Sequence, residues 1–173
     1  IPYLQACALE ATRTGVPVMR AMPLAFPDEP DTWQQDSQYL LGPSLLVAPV
    51  VRAGGRVRIT LPRGRWFELA TGEWVDGGRT IERDVPLDTI PLFGREGHLL
   101  PLGPVVQHTG ELPAPLAVEE VVAFGAPTVA LELPVVDDDG TLTGTVTLAP
   151  TAGGLAGLDA LDVGAGAPSL TQR

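Results

Sequence analysis

The sequence predicts a mainly β fold: antiparallel β-sandwich domains entered through a short segment of α/β character. Three observations carry this reading. The 173 residues include 20 Gly and 18 Pro, nearly twice the usual share of about 12%, and helices tolerate neither residue well. From Leu45 onward, apolar runs of strand length are separated by turn pairs such as Gly54-Gly55, Thr71-Gly72 and Glu96-Gly97. Finally, Val57, Ile59 and Leu61 alternate with Arg56, Arg58 and Thr60, the signature of a half-buried antiparallel strand.

In chain order, Leu4, Ala8, Leu9 and Ala11 form a helical stripe that Gly15 and Pro17 bring to an end. The run Val16–Phe26 is apolar throughout except at Arg20. Such a run reads as a strand covered on both faces, as in a parallel sheet. Pro27 to Pro30 breaks the chain, and a short helix is expected over Thr32–Leu41, ending at Gly42-Pro43. Strands are then expected at Leu45–Val51, Arg56–Leu61, Trp66–Leu69, Thr80–Arg83, Thr89–Phe93 and His98–Leu102. Gly110–Pro115 reads as a linker. Beyond it, Glu119–Phe124, Thr128–Leu133 and Thr141–Leu148 read as strands, with Asp137-Asp138-Asp139-Gly140 as a turn and a last strand near Leu158–Val163.

Composition removes whole classes of function. The net charge is −10, and all 11 cationic residues are Arg because the chain contains no Lys. A basic stripe for nucleic acid or anionic lipid is therefore not expected. A Walker lysine and a Schiff-base lysine are excluded outright. Cys7 stands alone, so neither an intrachain disulfide nor a cysteine zinc site can form. No run approaches the ~18 apolar residues of a membrane span. Neither a nucleic-acid partner nor a membrane partner is expected, and no cofactor or metal. The chain begins at Ile1 inside an amphipathic pattern, and so reads as the C-terminal part of a longer protein. A cytoplasmic setting is expected, with the question of an upstream targeting signal left open.

The residues that could carry chemistry are few. His98 and His108 are the only histidines, and neither lies in a recognised nucleophile motif. The Asp137–Gly140 run lacks the spacing and the distal Glu of a calcium loop. Gly153–Gly157 is a weak phosphate cradle, since no convincing helix follows it. Arg20 in its apolar run reads as one half of a structural ion pair in preference to a substrate contact. Trp66, Trp74 and Tyr39 could stack on a sugar, although core packing is the default for Trp66.

The segment Gly15-Val16-Pro17-Val18-Met19-Arg20, followed by Phe26-Pro27-Asp28-Glu29, resembles glycoside hydrolase family 31. The likeness continues through Asp36-Ser37-Gln38-Tyr39-Leu40-Leu41-Gly42-Pro43-Ser44-Leu45-Leu46-Val47-Ala48-Pro49-Val50. It then takes in Leu61-Pro62-Arg63-Gly64-Arg65-Trp66, Thr71-Gly72-Glu73 and Ile90-Pro91-Leu92-Phe93-Gly94-Arg95. These motifs stand in register from about residue 1 to 104.

The resemblance implies a retaining α-glycosidase with two catalytic aspartates on a (β/α)8 barrel, a chemistry that places its carboxyls ~5–5.5 Å apart. By this likeness residues 1–44 are the end of the barrel, with its last strand at Val18–Phe26. Residues 45–109 are the proximal β-sandwich and residues 110–173 the distal β-rich domain. Both catalytic aspartates lie upstream in the family, so no catalytic residue is assigned here. Barrel active sites lie at the C-terminal ends of the strands, which makes Phe26 and Asp28 the candidates for the pocket rim. The implied partner is a carbohydrate bound through the parent barrel. Met19-Arg20-Ala21-Met22 resembles the α-xylosidase branch, with α-glucosidase as the alternative. A non-catalytic carbohydrate-binding or interaction module is the competing reading from another class.

Overall fold

The computed structural model describes residues 1–86, 88–111, 118–136, 141–152, 154–157 and 168–173. Helix α1 (Pro2–Thr14) starts on a proline, which loses nothing in a first turn. It stops at Gly15, whose φ of 75° is the left-handed cap conformation and whose N–H donates to Ala11 O at 2.9 Å. The chain divides into two compact units, Pro17–Glu96 and Ile1–Val16 with Gly97–Arg173.

The Pro17–Glu96 unit runs β1 (Met19–Ala21), α2 (Met22–Ala25), β2 (Tyr39–Leu41), β3 (Leu45–Val47) and β4 (Arg56–Leu61). It continues through β5 (Arg65–Glu68), β6 (Glu73–Asp76), β7 (Arg79–Asp84) and β8 (Leu92–Arg95). Six strands form one sheet in the order β1-β2-β3-β8-β5-β6, with every pair antiparallel. β4 and β7 make a separate two-stranded ribbon. Val57, Ile59 and Leu61 of the ribbon share one core with Leu40, Leu46, Trp66, Val75 and Phe93 of the sheet, which makes this unit a β-sandwich. The inward residues of β4 are those the alternation selected.

Two expectations are corrected here. The run Val16–Phe26 is not a continuous strand with parallel neighbours. Only Met19–Ala21 is extended, pairing antiparallel with Tyr39–Leu41 at the sheet edge. Pro23 lies in the first turn of α2, where its fixed φ suits a helix and its missing N–H cannot join a ladder. Nor is Thr32–Leu41 a helix: a 3₁₀ turn covers Pro30–Thr32, and Tyr39–Leu41 is β2. Gly42 at φ 56° turns the chain so that β2 and β3 form a hairpin. β6 is a strand the sequence reading did not identify.

In the other unit, β9 (Leu99–Leu102) pairs antiparallel with β10 (Glu120–Ala123). β11 (Leu131–Val136) and β12 (Leu142–Thr151) form a long hairpin, to which β13 (Gly154–Ala156) adds. β14 (Ser169–Gln172) runs parallel to β10. Ala6 of α1 joins Leu99, Val118, Val121, Ala123, Leu133 and Leu148 in an aliphatic core. Gly154–Ala156 is thus a hairpin strand, not a phosphate loop. The turn expected at 137–140 and the strand expected at 158–163 lie outside the described residues, as does most of the expected linker.

The units cut the chain at 16/17 and 96/97, whereas the sequence boundaries fall at 44/45 and 109/110. The reason is pairing: β1 and β2 belong to the same sheet as β3 and β8, and β9 belongs to the sheet of β10.

Candidate functional site

The segment after α2 is the place where the sequence puts a pocket rim, and hydrogen bonds fix its conformation. Phe26 N donates to Met22 O at 2.9 Å and Glu29 N to Phe26 O at 3.1 Å. Thr32 Oγ1, on a residue only 1% exposed, donates to Glu29 O at 2.7 Å. Trp33 Nε1 donates to Pro27 O at 3.2 Å. The segment is therefore tied to itself at four points.

Phe26 and Asp28 part company here. Phe26 is 5% exposed and meets Trp66 edge to face, with ring centroids 6.1 Å apart. The Arg95 guanidinium lies 4.9 Å from the Phe26 centroid on the same ring. Phe26 is a core residue. Asp28 is exposed at the turn.

Glu29 is the connector. Its Oε2 accepts the Arg63 backbone N–H at 2.8 Å, joining this segment to the turn between β4 and β5. Burial pushes the Arg95 guanidinium below its usual pKa, and the negative charge of Glu29 partly opposes that shift. A cation–π contact and a nearby carboxylate are what a half-buried guanidinium needs in place of water. Three separate motifs, around Phe26, Arg63 and Arg95, thus meet in one cluster.

A cleft of about 240 Å³ opens beside this cluster, lined by Glu29, Asp31, Thr60, Arg63, Arg79 and Thr80 among others. The hydroxyls of Thr60 and Thr80 are 2.9 Å apart within it. Its groups can hydrogen-bond a small polar ligand. Glu29 already accepts one backbone N–H within the fold, from Arg63. Among the described residues, no three His, Cys, Asp or Glu side chains stand close enough to hold a metal ion.

The other candidates take structural places. Trp66 is fully buried and donates from Nε1 to Pro62 O at 2.8 Å. Trp74 packs edge to face on Phe67 at 5.6 Å and under the Arg65 guanidinium at 4.7 Å. Tyr39 is half-buried in β2. Arg20 is half-buried and donates from Nε to Pro17 O at 3.3 Å. His98 is buried, and its carbonyl accepts Phe124 N–H at 3.0 Å. His108 is exposed beside Glu111 at 3.5 Å.

Two polar devices escaped the sequence reading. The side-chain amide of Gln38 donates to Thr60 O and accepts from Thr60 N, both at 2.8 Å. Glu68, 4% exposed, receives Arg83 in a fork, with Nε to Oε1 at 2.9 Å and Nη2 to Oε2 at 2.7 Å. That bond holds the Arg83 pKa above its usual value. The available signal was a carboxylate in the otherwise apolar run Trp66–Leu69.

Comparison with known proteins bears on the same residues. The sequence profile described as "Glycosyl hydrolase family 31 C-terminal domain" matches residues 15–100. An isomaltosyltransferase of Sporosarcina globispora is 40% identical over 103 residues, covering 59% of this chain and 9% of its own. An α-xylosidase of Emericella nidulans is 35% identical over 152 residues, covering 81% of this chain and 19% of its own. The crystal structure of a family 31 α-xylosidase from Xanthomonas citri superposes with a TM-score of 0.70 at 33% identity, covering 85% of this chain and 16% of that one. The chain thus spans less than a fifth of the length of these relatives.

Proposed function

The chain carries the glycoside hydrolase family 31 C-terminal domain at residues 15–100, and from that premise we propose that it is the C-terminal part of a retaining α-glycosidase. The substrate class is an α-linked glycoside, with α-xylosides favoured. The chain supplies neither the nucleophile nor the acid, since the motifs that carry the family's aspartate pair do not occur in it. Its role is to brace an upstream barrel. Met19, Leu24 and Trp33 are 58%, 53% and 55% exposed, a density of open apolar side chains that suits a surface another part of the enzyme covers.

One observation favours α-xylosides: Ala21 stands where the α-glucosidase branch more often has Pro. The relatives do not divide by substrate, since the likeness to one α-xylosidase covers 81% of the chain, to another 59%, and to an α-glucosidase of Bacillus thermoamyloliquefaciens 65%. The test is kinetic. The chain alone should show no turnover of aryl α-xyloside or α-glucoside above buffer. The full-length enzyme should favour the xyloside in kcat/KM by roughly 10–200-fold, the usual effect of one added group in a shaped pocket. A glucoside preference overturns the substrate assignment, and turnover by the chain alone overturns the proposed role.

A further inference from the structure

The free edge of β4 has a distinctive hydrogen-bonding pattern. Gly55 O accepts Val85 N–H at 2.8 Å, and Leu61 O accepts Gly78 N–H at 2.8 Å. The odd-numbered residues of β4 therefore turn their backbone groups toward β7. In an antiparallel pair the even-numbered residues must then face the opposite edge. Thr60 confirms this parity, because both its N–H and its C=O bond to the Gln38 amide. Gln38 thus stands in for one peptide group of a neighbouring strand. Below it, Arg56 and Arg58 present the same edge, and among the described residues no backbone group pairs with them there.

A groove of about 380 Å³ opens at this stretch, lined by Asp36, Ser37, Val51, Arg52, Arg56 and Arg58 among others. Arg52, Arg56 and Arg58 line it against the carboxylates of Asp36 and Glu82. Arg56 Nη2 is 2.6 Å from Glu82 Oε2, an exposed pair. The groove is cationic on balance in a chain whose net charge is −10. Val51, 61% exposed, adds one apolar contact.

We propose that this edge docks an extended acidic peptide segment, which joins the β4–β7 ribbon as a third strand. An extended chain satisfies the outward backbone groups of Arg58 and continues the register that the Gln38 amide begins. Its carboxylates answer Arg52 and Arg58, which Glu82 does not already pair as it pairs Arg56, and alternate apolar side chains meet Val51. A second copy of this edge does not fit, because arginine would face arginine, and like charges on an exposed edge act against such pairing. The proposal is independent of which glycoside the parent enzyme cleaves.

The experiment measures fluorescence anisotropy of a labelled hexapeptide of alternating valine and aspartate against the full chain. Two control peptides accompany it, one N-methylated at alternate residues and one with lysine in place of aspartate. Saturable binding is expected for the first peptide, and binding at least about tenfold weaker for each control, the size of one lost or strained hydrogen bond. Arg58→Pro removes an outward N–H that the ribbon does not use, a place where an edge strand accepts proline, and should weaken binding to a similar degree. Arg58→Glu keeps the donor and should shift preference toward the lysine peptide. Hydrogen exchange on the unmodified chain gives a reading free of any folding defect: the Arg58 amide should slow when the acidic peptide is added. Absence of saturable binding, equal binding of the N-methylated peptide, or unchanged exchange at Arg58 overturns the proposal.

Discussion

The two units use different means to specify a β fold. In Pro17–Glu96 the core holds Trp66 and Phe93 at 0% exposure and Phe26 at 5%, and polar groups enter it with assigned partners. Trp66 Nε1 bonds Pro62 O, Gln38 clamps Thr60, and Glu68 holds Arg83. In the other unit the main cluster is Ala, Val and Leu, although Phe124, Tyr3, Cys7 and His98 are also buried there, and Arg13 reaches Glu132 where both side chains are about half exposed. Aliphatic packing accepts exchanges of similar volume, whereas a buried polar pair depends on both partners. The family profile covers residues 15–100, which takes in all of the first unit and little of the second.

The strongest test compares Trp66→Ala with Leu148→Ala, both fully buried. Truncating a buried tryptophan costs about 3–5 kcal/mol and a leucine about 2–5, and only Trp66 also gives up a hydrogen bond. Hydrogen exchange should show Trp66→Ala loosening residues 17–96, and Leu148→Ala loosening β10 to β12. If Leu148→Ala deprotects residues 17–96 as much as Trp66→Ala does, the two regions are not distinct in the way argued.

Next in size is Glu68→Gln. The substitution keeps the shape and removes the charge that Arg83 faces. Breaking a fully buried pair costs about 3–5 kcal/mol. The Arg83 side chain is 34% exposed, so water reaches the freed guanidinium, and about 2 kcal/mol is expected in denaturant unfolding. The double variant Glu68→Gln with Arg83→Gln should recover part of the loss. Additive losses would mean that the two residues do not act as a pair.

Much of this was legible beforehand, and the gaps have physical causes. β4 appeared intact because a two-residue period needs only local sequence, and Gly15 marked the end of α1 because only a cap explains it there. The run Val16–Phe26 misled because an apolar stretch without a period does not distinguish a buried strand from a strand, a turn and a short helix. The decisive residue was Pro23. Thr32–Leu41 misled because the force that straightens Gln38 lies 22 residues away at Thr60. Phe26 was expected at a rim by position along the chain, yet a ring between Trp66 and Arg95 is settled by tertiary packing. Glu68 and Arg83 were each visible, but their pairing was not.

Gln38→Ala tests whether one side-chain amide can stand in for a strand. It strands the Thr60 N–H and C=O on a residue 5% exposed, and a buried unsatisfied group costs about 1–3 kcal/mol. The smaller half of that range is expected, because the freed edge lies next to an open groove that admits water. Exchange at the Thr60 amide should accelerate more than at Ile59, whose N–H faces β7. Equal acceleration would mean that Gln38 supports the whole ribbon and not one position.

The smallest effect is expected from Arg13→Ala, and its smallness completes the comparison with Glu68. Both residues belong to carboxylate–guanidinium pairs, but Arg13 and Glu132 have side chains 48% and 49% exposed. Water solvates each charge almost as well as the partner does, so such pairs contribute about 0–1 kcal/mol. They are also screened, since the Debye length falls to about 3 Å at 1 M salt. Arg13→Ala should therefore lower stability by a few tenths of a kcal/mol in dilute buffer, and the difference should vanish in 1 M salt. Glu68→Gln should keep most of its effect there, because Glu68 is 4% exposed and salt reaches it poorly. Paired unfolding curves at low and high salt provide the measurement. A salt-resistant loss at Arg13 would show that the second unit also depends on directional polar contacts.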